Sequence, residues 1–211
     1  MTLIALTGVP ALADDRDTGI IDVLHRSQQW RLDTMVPAEA NSPRAQVVRE
    51  SFDALVGALG IPANVTLRVV RGEVLAETIL GNIIVTNEAL GELAEGERRF
   101  ILAHELGHVM LGHWRQMERL YEKWIPGPVT PERTDAIAAE LGREASALAY
   151  QQEFDADGYA LRALRLLGHS PQAAASAFLA LGAHRDTITH PGTLKRVAAL
   201  HLIEAAAEAE P

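Results

Sequence analysis

Apolar residues fall at helical spacing through most of the second half of the chain. From Gly96 onward the pattern predicts helix almost to the end, with breaks over residues 125–131, 168–171 and 187–192, where Pro and Gly cluster. Upstream, Val47, Val48, Phe52, Leu55, Val56 and Leu59 share a helical stripe. Ser42 can cap that helix and Pro43 can open it, while Gly60 and then Pro62 stop it. Ile20, Ile21, Leu24, Trp30 and Leu32 fit a helix more loosely, and residues 37–43 read as a linker. Residues 65–70 alternate as a strand does, Arg71-Gly72 suits a turn, and two more β-like runs flank Gly81-Asn82. These runs predict a small antiparallel sheet. The fold class is therefore α+β and mostly helical, with an apolar segment over residues 1–13, a helical segment and linker over 14–43, and the main domain over 44–211.

Composition narrows the functions open to such a domain. The 211 residues are 48% hydrophobic and 22% charged, which suits one globular unit with a sizeable core. Nineteen Lys and Arg face 28 Asp and Glu, for a net charge of −9 with no basic block, so nucleic acid is a poor partner. Cysteine is absent, so any metal must be held by His, Asp or Glu. No apolar run of about 18 residues exists, so no transmembrane helix is expected. Residues 2–13 are apolar and end in Ala11-Leu12-Ala13 before Asp14-Asp15, as a secretory signal core and cleavage site would, although a basic leader is missing. That reading implies a periplasmic or secreted protein. The alternative is an apolar arm packed on a cytoplasmic domain.

Among the eight histidines, two stand in His104-Glu105-Leu106-Gly107-His108, an H-E-x-x-H pattern within a predicted helix. Four residues turn a helix by about 400°, so both imidazoles project from one face and can share a tetrahedral metal. Glu105 lies at the edge of that face, placed to act on a water as a general base rather than to ligate. Leu102, Val109 and Met110 supply an apolar face that would pack with or without metal. A metzincin continuation needs Gly at 111 and His at 114, where the chain has Leu111 and Trp114. His113 lies about 180° round the helix from His104 and is expected at the surface or behind a ligand. Gluzincins take a later Glu, with an Asp one turn on that orients a ligand imidazole. Of the Glu residues after His108, only Glu153 has an Asp four positions later, at Asp157.

Together with Thr189-His190-Pro191 and Arg196, these motifs resemble, in order, the HtpX-like and CAAX-prenyl-endopeptidase-like gluzincin zinc metallopeptidases, some of them soluble or lipoprotein members of the bacterial envelope. The resemblance covers residues 75–197. Relatives begin the edge region with Asn-Ala where this chain has Leu75-Ala76, and the 45 positions between His108 and Glu153 are too polar for the membrane hairpin of embedded relatives. The resemblance implies a zincin fold and one Zn2+ per chain on His104, His108 and Glu153. It further implies endopeptidase activity through Glu105, with Asp157 and Arg196 in support. His190 would stand near the metal, either helping to stabilise the oxyanion or capping the metal in a latent enzyme.

Substrate recognition is read less directly. Ile83, Ile84 and Val85 are expected to form an edge strand able to pair with an extended or unfolded polypeptide, the other reading being a covered edge. Trp114, Met117, Leu120, Tyr121 and Trp124 form a helical stripe, read as core packing ahead of a substrate wall or a membrane-surface contact. The expected function is a zinc endopeptidase of envelope protein quality control. The alternative is a chaperone-like or scaffolding protein of the same fold, which would have no use for a base at Glu105. Oligomeric state is not set by the sequence.

Overall fold

The computed structural model describes residues 18–209; the apolar segment over residues 2–13 lies outside them. Helix α1 spans Ile20–Thr34 and is followed by the two-residue strand β1, Val36–Pro37. Helix α2, Pro43–Leu59, starts where the Ser42 side chain accepts from Ala45 N–H and ends at Gly60, whose φ of 64° is the left-handed value that closes a helix. Strands β2 (Thr66–Arg71), β3 (Ala76–Ile79) and β4 (Ile83–Asn87) come next, then a 3-10 turn, Glu88–Glu92. Five helices follow among the described residues: α3 (Glu95–Met110), α4 (His113–Trp124), α5 (Pro131–Leu166), α6 (Gln172–Leu181) and α7 (Thr193–Ala209). No helix among the described residues is long and apolar enough to cross a membrane.

The sheet is mixed rather than antiparallel. Its order is β1-β2-β4-β3, with β4 parallel to β2 and antiparallel to β3 and β1 antiparallel to β2. Residues 72–75 carry the chain past one strand position, so β4 returns between β2 and β3. Asn87 fixes that crossing: its side-chain amide donates to the carbonyls of Gly72 (2.7 Å) and Val74 (3.0 Å), and its backbone N–H to Leu75 (2.7 Å). Part of the expected linker also differs, since Val36 and Pro37 pair with Arg71 and Val70.

This order corrects the expected substrate edge. Ile83, Ile84 and Val85 hydrogen-bond into strands on both sides, so they have no free edge to offer. Among the described residues, the open edge beside the helices is β3.

Alternation along the strands gives each sheet face its own core. Ile84 and Val69 join Leu102, Leu106, Leu161 and Leu164 in the main cluster, while Val70, Ile79 and Val85 pack with Leu32 of α1 on the other face. Fully burying one such side chain is worth about 1.5–3 kcal/mol. Helix α3 is the centre of the main cluster, with α5 across it. At Gly107 a Cβ would lie 3.1 Å from Ala156 Cα and 3.2 Å from its carbonyl oxygen, so the absent side chain lets the two helix backbones approach. The stripe on α4 divides. Leu120 is buried with Ile125 and Leu141, and Met117, Tyr121 and Trp124 pack on them, whereas Trp114 turns toward the cleft beside α3.

Candidate metal centre

His104 and His108 stand one turn apart on α3, and the close approach at Gly107 brings Glu153 of α5 opposite them. His104 Nε2 and His108 Nε2 are 3.1 Å apart; Glu153 Oε2 is 3.6 Å from the first and Glu153 Oε1 3.4 Å from the second. One ligand atom from each lies within 4.8 Å of the others. A tetrahedral zinc with ligand distances of about 2.0–2.1 Å separates its ligand atoms by about 3.3–3.4 Å, so the spacing suits such an ion.

The hydrogen bonds around the ligands decide which nitrogens are free. Asp157, 1% exposed, accepts at Oδ1 from His104 Nδ1–H at 2.9 Å, which leaves Nε2 of the neutral ring bare. Arg196 donates to the same carboxylate from Nε (2.8 Å) and Nη2 (2.6 Å), and its Nη1 lies 3.1 Å from Glu153 Oε2. One guanidinium thus holds two carboxylates. His108 Nδ1 lies 2.9 Å from Nδ1 of His113. If His108 donates there, its Nε2 is bare as well, and two imidazole lone pairs then face each other at 3.1 Å. A cation between them resolves that conflict. Glu153 Oε2 is buried with the Arg196 ion pair but no hydrogen bond among the described residues, so it keeps a lone pair that a metal could take.

Titration behaviour follows the same contacts. In the metal-free protein, where protons can take the cation's place on the two rings, burial disfavours the Glu153 carboxylate, yet the hydrogen bond from His108 Nε2 and the charges of His104 and Arg196 outweigh it and hold its pKa well below the ordinary value. Asp157 is lowered likewise: burial opposes ionisation, and its hydrogen bonds to Arg196 and His104 overcome it. At His104, burial and the Arg196 charge favour the neutral ring, but Asp157 and Glu153 together raise its pKa. His113 is lowered to about 4, first by burial and then by neighbouring His108.

Glu105 is buried at the wall of the same cleft, where its Oε2 accepts from the Thr78 hydroxyl of β3 at 2.8 Å. His190 sits in the loop before α7, exposed, with Nε2 3.6 Å from Glu153 Oε1 and its other ring nitrogen 2.8 Å from Thr189 Oγ1. A cleft of about 580 Å³ is lined by His104, Glu105, His108, Glu153, His190 and Arg196, together with β3, Trp114 and Phe178.

The structure therefore brings seven of the sequence-derived candidates together and leaves Ile83, Ile84 and Val85 outside. His113 takes the second of its two expected places, behind a candidate ligand and not at the surface. Gly112, at φ 66°, breaks the helix after Leu111, and His113 starts α4 buried behind His108 instead of on the far side. Two contributors were missed. Thr78 is 27 residues from Glu105, and Gln152, which donates to the His113 carbonyl at 3.0 Å, carries no motif. Only the position of Gln152 beside Glu153 gave a signal.

Residues 44–123 match the model of peptidase family M48, a span that takes in α2 but for its first residue, strands β2 to β4, α3 with the H-E-x-x-H motif, and nearly all of α4. The match supports a metal-dependent peptidase, a hydrolase acting on polypeptide. No curated protein matches the chain.

Proposed function

We propose that this protein is a zinc-dependent endopeptidase that cleaves extended or unfolded protein segments. The observation that carries the reading is the three-donor cluster of His104, His108 and Glu153 with Glu105 beside it in one cleft. Zinc on these donors would keep one position open for water and polarise the scissile carbonyl. Glu105, steadied by Thr78, takes the proton of the attacking water and passes it to the leaving amine. His190 stands at the mouth, where it donates to the carbonyl oxygen as charge develops; such a contact is worth about 2.7–4 kcal/mol in other enzymes. Arg196 and Asp157 orient His104 and Glu153 without touching substrate. The apolar run over residues 2–13 favours the bacterial envelope as the compartment, and a cleft open to extended polypeptide suits protein quality control as the role.

Metal analysis of purified protein, with a casein degradation assay run with and without chelator, tests the proposal. One zinc per chain and chelator-sensitive cleavage are expected. Glu105→Gln should keep the zinc and the melting temperature while losing at least about 100-fold in turnover. Undiminished cleavage by Glu105→Gln would reject the mechanism, and zinc binding with no cleavage by the unaltered protein would favour the scaffolding role.

A further inference from the structure

The open backbone positions of β3 follow from its register. Asn87 N–H donates to the Leu75 carbonyl in the register that pairs Ala76 with Thr86. Antiparallel pairs alternate between those that exchange both hydrogen bonds and those that exchange none. Leu75, Glu77 and Ile79 therefore turn their N–H and C=O toward β4, while Ala76 and Thr78 turn theirs outward, and the N–H of Leu80, where the turn begins at φ 52°, points the same way. That outward side borders the cleft, which Ala76 and Thr78 line beside Glu105 and His108.

The third outward residue differs from the other two. Leu80 N–H donates to Oε1 of Gln28, on α1, at 2.6 Å. Beyond it the hairpin turn is covered: a Cβ on Gly81 would lie 2.9 Å from Trp114 Cβ. Gln28 and Trp114 both line the cleft. The side-chain carbonyl of Gln28 stands where the backbone carbonyl of an added strand would accept.

We propose that Gln28 ends the substrate-binding edge: an extended polypeptide pairs with Ala76 and Thr78 and gains nothing by reaching past Leu80. This rests on the peptidase reading for its occupant. It makes α1, outside the residues matched to the peptidase family, a determinant of how substrate length is measured.

The test uses nested peptides from a casein fragment, lengthened stepwise at each end, and binding to zinc-loaded protein carrying Glu105→Gln to prevent turnover. Each protein's long-peptide affinity is divided by its own short-peptide affinity. With Gln28 present, this ratio should stop rising once the peptide reaches Leu80. With Gln28→Leu, two more residues should raise it about 2- to 10-fold, the effect of one added hydrogen bond. Gln28→Glu retains an acceptor oxygen and should keep the original limit. Backbone amide exchange supplies a readout independent of turnover: Gln28→Leu should speed exchange at Leu80 in the free protein, and bound peptide should slow it at Ala76 and Thr78. An unchanged length limit in Gln28→Leu, or no protection at Ala76 and Thr78, overturns the inference. Protection without cleavage by the unaltered protein would instead sink the peptidase reading and leave the bounded edge standing.

Discussion

On an unbroken helix, the nine residues from His104 to His113 would turn the second imidazole about halfway round from the first. Gly112 changes that outcome through a single positive φ, after which α4 starts afresh and His113 lies 2.9 Å from Nδ1 of His108. Ligand histidines ordinarily donate their second N–H to a carboxylate or a carbonyl. Asp157 fills that place for His104, and a second, neutral histidine fills it for His108. Loss of such a partner typically costs about 10- to 100-fold in metal affinity. His113→Ala should therefore bind zinc about 10- to 100-fold more weakly, read by competition with a chelating dye, while Glu153→Ala, which removes a proposed ligand, should be purified largely without metal. Wild-type zinc affinity in His113→Ala would show that His108 needs no orienting partner.

At the scale of elements, the approach of α3 and α5 sets the spacing of the candidate donors, and Gly107 permits it. A methyl group there would stand 3.1 Å from Ala156 Cα and 3.2 Å from Tyr159 Cβ, closer than such contacts normally come, so α5 must retreat by a few tenths of an ångström. Glu153 lies on that helix one turn before Asp157 and would move with it. Gly107→Ala should thus weaken zinc binding as well as lower the melting temperature, even though alanine is the better helix former by about 1 kcal/mol. If zinc affinity and melting temperature both held, the close approach would not govern the site. The helices and the candidate donors His104 and His108 on one face were legible because residues at 3.6-residue spacing, Ser42-Pro43 and Gly60 act within one turn of where they stand. The sheet order was not, because pairing depends on which strand the chain crosses after Arg71, and that choice is pinned by Asn87 from 15 residues away. The same nonlocality hid the substrate edge: Ile83 to Val85 have strand chemistry whether they lie inside a sheet or at its margin. Thr78 and Gln28 were hidden because their partners are 27 and 52 residues distant.

Across the whole molecule, the centre couples stability to pH in opposite directions. Burial holds His113 at about 4, against about 6.5 in an unfolded chain. Between those values the unfolded chain takes up a proton that the folded one refuses, so this contribution is intact above 6.5 and is lost as pH falls toward 4. Glu153 adds to the same trend lower down, since its depressed pKa stabilises the fold above the ordinary carboxylate range and the gain disappears as acid protonates it. His104 runs the other way: its raised pKa contributes fully below 6.5 and the contribution fades as pH rises through the folded value. The net charge of −9 adds a background trend common to any variant that keeps it. His113→Asn, neutral throughout, isolates the first of these contributions. In chelator-treated protein, the melting temperature of the unaltered chain should fall more steeply between pH 6.5 and 4 than that of His113→Asn, the two curves converging toward acid. Parallel curves would mean that His113 takes a proton as easily when folded as when unfolded, contrary to its burial at 4% exposure behind His108.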